Sequence, residues 1–283
     1  MVAGDALRAA VIGTAFAVLT GCATAINFDG ASAHMFIGQR SMGVREGTDL
    51  RLVTFNVKFG EQIERAAELL SRPGPLRGAD VLLLQELDVT GAERLAYALG
   101  MNYVYVPSAI HPSSHRPFGV AVLSPWPIEE ARNVPLPHPH RVRKMRRRAA
   151  AATIDTPIGP LLVYAVHLET PYGASSQSRR DQARAVMDDS AGWDGPVVIA
   201  GDFNGKSGAD ELAKSGFLWL TRRVHNTSLL FDFDHILVRG LCAAADPPAA
   251  KGPSSHGISD HRPVWAVVRS CGPGGEDTGP AVH

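Results

Sequence analysis

At 283 residues with 45% apolar content, the chain can form one large domain or two small ones around a real core, which excludes a polypeptide disordered or membrane-spanning throughout. Lys+Arg and Asp+Glu both number 28, so the formal net charge is zero. This balance excludes a globally basic nucleic-acid binder and leaves any affinity for phosphate to a local patch.

In chain order, Arg8 precedes an apolar stretch from Ala9 to Leu19 that ends in Leu19-Thr20-Gly21-Cys22. A short apolar run behind a weakly basic start reads as a secretory signal, because a membrane span needs about 20 apolar residues. Its last four residues resemble the bacterial lipobox, in which cleavage before the cysteine leaves it lipid-modified. Residues 1–22 are therefore expected to export the chain and anchor it through Cys22, facing the periplasm or the cell exterior. An ordinary cleaved signal with an incidental cysteine is the alternative. Residues 23–48 are small and polar without a sustained period, and read as a tether. The three cysteines, Cys22, Cys242 and Cys271, are too few and scattered for a zinc cage or a disulfide framework. In an oxidising compartment Cys242 and Cys271 form either a disulfide or two isolated thiols.

The body, 49–270, begins with a core strand from Leu50 to Val57. Ile63, Ala66, Ala67 and Leu70 then fall on one helical face before Pro73-Gly74-Pro75. Asp80 to Glu86 is a continuous apolar strand with a glutamate at its end, followed by a short helix from Gly91 to Leu99. Strands are expected at Asn102 to Val106, Gly119 to Ser124 and Arg148 to Ile154, with Pro-rich loops at 107–117 and 125–139. Leu161 to Val166 delivers His167, and a helix follows with Ala183, Val186 and Met187 inward. The run Pro196 to Ala200 leads into Gly201-Asp202-Phe203-Asn204, and Ser207 is placed to cap a short helix through Leu212. Phe231 to Val238 and Pro263 to Val268 are the last strands, and 271–283 reads as a flexible tail.

The polar residues at these strand ends carry the functional argument. Asn56, Glu86, His167, Asp202 with Asn204, Asp234, and Asp260 with His261 all end or begin apolar strands. Ionisable groups at so many core strand ends make physical sense if the ends converge on one site. The segments Phe55-Asn56-Val57, Leu84-Gln85-Glu86, Val166-His167-Leu168, Gly201-Asp202-Phe203-Asn204, Asp234-His235-Ile236 and Ser259-Asp260-His261-Arg262-Pro263 resemble, in order, the signatures of the endonuclease/exonuclease/phosphatase superfamily. The resemblance runs over about residues 50–269 and includes the central segment Phe118 to Ile128. It implies an α+β fold, a four-layer sandwich of two mixed β-sheets flanked by helices, with a metal-dependent phosphoesterase site at one edge.

The resemblance also implies roles. Glu86 is the expected ligand of Mg²⁺ or Mn²⁺, helped by Asn56 and Asp260, because oxygen donors with retained water suit those ions better than zinc. Asp202 would orient or deprotonate the attacking water, and Asn204 would donate to a phosphate oxygen. His261 would contact the phosphate, held in one tautomer and raised in pKa by Asp234. His167 would donate to the phosphate or assist proton transfer, while His235 and His256 have no such support. Gly201 and Gly205 would let the backbone pass close to a phosphate.

Substrate is less determined, since the superfamily includes nucleases, sphingomyelinases and inositol-phosphate phosphatases. Export favours extracellular nucleic acid, lipid headgroups or released phosphate esters. The basic run Arg141-Val142-Arg143-Lys144-Met145-Arg146-Arg147-Arg148 could follow a phosphate backbone or an anionic membrane, or be a solvated loop, and Arg148 is its member expected to reach the scissile phosphate. The aromatic candidates for a lipid-inserting surface are Trp126 and Trp219-Leu220, with no obvious apolar hairpin. The expectation is therefore an extracytoplasmic nuclease, monomeric, with a sphingomyelinase-like phospholipase C or an inositol-phosphate phosphatase as alternatives. A catalytically silent surface binding module is the reading of another class. The presence of Glu86, Asp202, Asn204, Asp234 and His261 together argues against it.

Overall fold

The computed structural model describes residues 24–29, 34–40, 47–112 and 114–271. The signal, Cys22 and the tail from 272 lie outside them. Two short strands, β1 (Ile26–Asn27) and β2 (Phe36–Gly38), precede β3 (Asp49–Asn56), α1 (Ile63–Ser71), β4 (Val81–Leu87), α2 (Val89–Leu99), β5 (Asn102–Ile110), β6 (Pro117–Ser124), β7 (Ile128–Pro135) and β8 (Arg148–Thr156). Next come β9 (Gly159–His167), α3 (Ser176–Asp189), β10 (Val197–Asp202), α4 (Ser207–Lys214), β11 (Leu218–Trp219), β12 (Asp234–Arg239), β13 (Leu241–Ala243), β14 (Ala249–Lys251) and β15 (Val264–Ser270).

The strands form two mixed sheets. One runs β1-β5-β6-β4-β3-β15-β13, with β2 also on β5 and β14 also on β15; the other runs β11-β12-β10-β9-β8-β7. Each contains one parallel pair, β3 with β4 and β9 with β10. Alternation along β3 explains the layering: Leu50 and Leu52 enter the core between the sheets, while Val53 and Phe55 pack with Ile63, Ala66 and Leu70 of α1. On the second sheet, Tyr164, Val197 and Ile199 turn outward onto Ala183 and Val186 of α3. Both faces of both sheets are thus covered, which is why the central strands read as continuous apolar runs. The outcome is the expected α+β sandwich of four layers.

Helix boundaries follow local chemistry. Asp88 caps α2 by accepting from the Gly91 amide at 2.8 Å, and Gly100 closes it at φ 64°. Ser175 caps α3 through the Ser178 amide. Ser207 does not cap α4: the N-cap position is Lys206, and the Ser207 hydroxyl is buried without a partner.

Several expectations are corrected. The loop at 125–139 contains β7, an edge strand whose mostly exposed or half-buried residues leave no apolar alternation to read. The loop expected from 107 begins as strand, because β5 continues through a bulge at Pro107 to Ile110. Phe231 to Phe233 lie outside β12, which starts at Asp234. The tether is partly docked: besides β1 and β2 on β5, the Ala25 amide donates to the Arg143 carbonyl at 2.8 Å, and the Asn27 side chain bonds Lys144 and Arg146. Trp126, Trp219 and Leu220 are buried. Of the two alternatives for Cys242 and Cys271, the disulfide is the one formed. Among the described residues no helix is long and apolar enough to cross a membrane.

Gly201 also changes its reason. It sits at φ 154° where a Cβ would lie 1.9 Å from the Val166 carbonyl oxygen of the paired strand β9, so strand packing rather than a phosphate demands glycine. Gly201→Ala is expected to destabilise the protein by more than about 1 kcal/mol. Gly192→Ala, where a methyl meets nothing within 4 Å, should change it by less than about 0.5 kcal/mol in urea unfolding.

Candidate active site

The parallel pairs β3/β4 and β9/β10 end at one edge of the sandwich and bring Asn56, Glu86, His167 and Asp202 together. Register sets the placement, since Asp202 lies opposite His167 on one side and Asp234 on the other. Glu86 is presented by a bulge between Gln85 and Leu87, at φ 58°. A non-glycine residue in that region is uncommon and often marks a functional position. Asn204 is similarly placed at φ 50°.

Asn56 bridges the sheets. Its Nδ2 donates to Glu86 Oε1 and to Asp202 Oδ2, both at 3.1 Å, while its Oδ1 accepts from the Lys58 amide at 3.0 Å. One lone pair of the expected oxygen ligand is thus taken by the Lys58 amide, while the nitrogen of Asn56 orients two carboxylates. Asn204 binds back into the scaffold, its amide donating to Asp202 Oδ1 at 2.8 Å and its Nδ2 to the Leu168 carbonyl at 3.0 Å. One N–H of its carboxamide is left for a substrate oxygen.

The two histidines differ in charge state. His261 Nδ1 lies 2.8 Å from Asp234 Oδ2, and its Nε2 is 3.7 Å from Asp202 Oδ2. Burial opposes a charge on His261, but the carboxylates of Asp234 and Asp202 outweigh it and lift the imidazole to about 10. His167 has the opposite surroundings: burial, Arg147 and His261 hold it well below its ordinary value. Arg147 Nη1, which can only donate, sits 3.0 Å from His167 Nδ1, so the ring proton resides on Nε2. That Nε2 faces Asp202 Oδ2 at 3.5 Å and Glu86 Oε1 at 3.8 Å. Burial raises Asp202, with Asp234 and Glu86 adding repulsion and His261 opposing them.

Arg147 and Glu169 are site residues that sequence reasoning missed. Arg147 is 3% exposed and its Nε and Nη2 each donate to Glu169 at 3.2 Å. The expected Arg148 points elsewhere, pairing with Asn133 at 3.0 Å and Asp29 at 2.9 Å. Consecutive residues entering a strand face opposite sides, so only one of two adjacent arginines can reach the site. The available signal was that same alternation, which also puts Glu169 on the side of His167. His235, left out of the site, packs between Phe203 and Trp219, with burial lowering it to about 4.

A hard divalent cation fits these donors. Glu86 is raised by burial with Asp260 adding negative potential; among the described residues its side chain accepts a hydrogen bond from Asn56 alone, and its nearest imidazole is neutral. Asp234 Oδ1 is a second buried oxygen without a partner. Asp260 itself is exposed at the rim. Asp202, Asp234 and His261 also have ligand atoms within 4.8 Å of one another, but the imidazolium of His261 already balances that trio. Glu86 is the better holder.

One loop beside the site is apolar and exposed. Leu229, Leu230 and Phe231 are 77%, 82% and 56% exposed, Phe231 stacks on Phe233 at 5.1 Å, and Phe233 lies 6.3 Å from the His261 ring.

A family model described as Endonuclease/Exonuclease/phosphatase family matches residues 53–261. No curated protein sequence matches. Among solved structures, an endonuclease/exonuclease/phosphatase from Beutenbergia cavernae is 20% identical, covering 79% of this chain and 72% of its own at TM-score 0.63. A mannosyl-6-phosphatase of Bacteroides thetaiotaomicron is 15% identical, covering 77% and 99%, at TM-score 0.56. A sphingomyelinase C from Streptomyces griseocarneus is 20% identical, covering 78% and 99%, at TM-score 0.55. At these identities the likeness is one of fold.

The charge states give a direct test in metal-free protein. His261 should stay protonated through neutrality, contributing stability in full below the unfolded imidazole value near 6.5 and losing it as pH rises through about 10. In Asp234→Asn, histidine NMR titration should find His261 deprotonating at markedly lower pH; an unchanged midpoint would refute the assigned partner.

Proposed function

The chain belongs to the endonuclease/exonuclease/phosphatase family and, on that premise, as a hydrolase of phosphoester bonds, we propose that it acts as a divalent-metal-dependent nuclease outside the cytoplasm. One observation carries the chemistry: two histidines in opposite charge states face the same buried carboxylate, Asp202. As the water oxygen bonds to phosphorus and the ester P–O bond breaks, the proton of the water passes to Asp202, whose raised proton affinity suits a base near neutral pH. The His261 imidazolium offsets charge on the phosphoryl oxygens, with His167 Nε2–H and Asn204 as further donors. Glu86, with Asp260 beside it, would hold Mg²⁺ or Mn²⁺, which when bound polarises the phosphoryl oxygens and relieves charge on the leaving oxygen.

Preference for nucleic acid rests on the stacked pair Phe231–Phe233 beside His261, a platform on which a base can stack next to the phosphate being cleaved. With Cys22 lipidated, the reading places the enzyme on a membrane, and only residues 23 and 24 separate the anchor from the docked Ala25. Three residue steps span at most about 11 Å, so the site would lie close to the lipid. This and the exposed Leu229-Leu230 tip favour a second reading, a sphingomyelinase-like phospholipase C, for which structures of the same fold offer a precedent of name.

Plasmid DNA incubated with the ectodomain should be nicked with Mg²⁺, left intact with chelator, and cleaved at least about 100-fold more slowly by His261→Ala. Glu86→Gln should raise the Mg²⁺ concentration needed for half-maximal rate. If phosphocholine vesicles are hydrolysed instead, with Leu230→Asp abolishing that rate but not turnover of a soluble phosphodiester, the second reading replaces the first.

A further inference from the structure

The basic run 141–148 is sorted by the fold into paired and unpaired charges. Arg147 is bound to Glu169, and Arg146 and Arg148 are both paired with Asp29. Arg143 has no carboxylate contact among the described residues; its Nη1 donates to His111 Nε2 at 2.8 Å. Its backbone is nonetheless fixed. The Ala25 amide binds the Arg143 carbonyl at 2.8 Å, Asn27 binds the flanking Lys144 and Arg146, and Met145 is buried with Ala109 and Phe118.

This half-buried guanidinium lines a cavity of about 100 Å³, together with His111, His140, Thr170, Phe59 and Glu86. His140 Nδ1 accepts from the amides of Val142 at 3.2 Å and Arg143 at 3.1 Å, so its proton lies on Nε2. The Arg143 guanidinium and the His140 Nε2–H are thus donors on these walls, and Glu86 is the one carboxylate on the lining, at the border with the candidate active site. The volume holds more than one ordered water, and its polar groups suit an anion. Burial, with Arg143 and Arg147 nearby, lowers His111 to about 4, and burial lowers His140 against the pull of the Glu169 carboxylate.

We propose that this cleft is a subsite for a second phosphate of the substrate, held by Arg143 and His140 while the neighbouring phosphate is cleaved beside Glu86. The inference rests on the phosphoesterase reading above and narrows it to substrates carrying at least two phosphates, such as a nucleic-acid strand or a small polyphosphorylated ester. Phosphates that repeat along a strand would place one in each position at once.

The test compares substrates differing by one phosphate: dithymidine monophosphate with and without an added terminal phosphate, and an inositol monophosphate against a bisphosphate. Arg143→Gln should lower kcat/KM on a two-phosphate member by about tenfold or more, reducing its advantage over the one-phosphate partner. The pair that responds identifies the source. Equal losses on both members, or none, overturn the subsite. Independently of turnover, inorganic pyrophosphate should shift the ring signals of His111 and His140 in NMR spectra of the wild type and do so far more weakly in Arg143→Gln. If the wild type hydrolyses neither pair, the nuclease and inositol-phosphatase readings fail, and the pyrophosphate titration still decides the subsite: no shift refutes it. Should Arg143→Gln fold poorly, Thr170→Val on the facing wall replaces it in both measurements.

Discussion

Three carboxylates share a dry edge of this sandwich, and the rest of the site is arranged around their repulsion. Glu86, Asp202 and Asp234 come from three strands in two sheets, and Asp202 is held up in pKa by burial and by the other two. An unpaired buried carboxylate costs several kcal/mol, so the arrangement survives only with compensation. His261 supplies one internal cation, clamped between Asp234 and Asp202. Asn56 supplies a neutral bridge, its amide joining Glu86 of one sheet to Asp202 of the other. What remains uncompensated is centred on Glu86, and a bound divalent cation is the natural complement.

Arg147 keeps the two histidines different. A cation placed among these carboxylates would neutralise them directly, but Arg147 is held away by Glu169 and touches the cluster only through His167. Burial, together with this guanidinium, denies His167 a second proton, so it presents a neutral N–H, whereas His261, facing carboxylates, is charged. Environments that push like residues to opposite protonation states divide proton donor from electrostatic stabiliser without requiring different residue types.

Most of the reaction centre was legible in the sequence because its residues sit at the ends of unmistakable strands. Apolar runs such as Val197 to Ala200 fix where a strand stops, and the chemistry lies there. What could not be read depended on which way a side chain turns. Arg147 and Arg148 are adjacent and alike in composition, yet one enters the site and the other faces Asp29. Asn56 carries the expected carboxamide, and its nitrogen also bridges Glu86 and Asp202 across the sheets, a contact no strand pattern announces. Likewise β7 escaped notice because an edge strand with little apolar content lacks the periodicity of a buried one. Trp126 and Trp219 looked available for a membrane and are core, whereas Leu229 and Leu230, with the Phe231 expected to open a strand, form the exposed apolar tip.

The apolar tip lies on a connection rather than a strand, which bears on how the fold divides its work. The groups of the candidate active site are on or next to strand ends, where hydrogen bonds on both sides hold them. Groups that can touch the remainder of a substrate are on connections: Phe231 and Leu230 before β12, Arg143 and His140 between β7 and β8. The second connection is further held by Ala25 and Asn27, residues of a segment that looked like a bare tether. A segment that docks against the wall of the cleft fixes the backbone of the connection that carries Arg143. Loops vary more readily than paired strands, so one reaction centre can serve many phosphoesters while each chain selects its own. Reaction class is therefore fixed by the strands, and the choice of substrate turns on whether the apolar tip or the Arg143 cleft takes up what lies beyond the scissile phosphate.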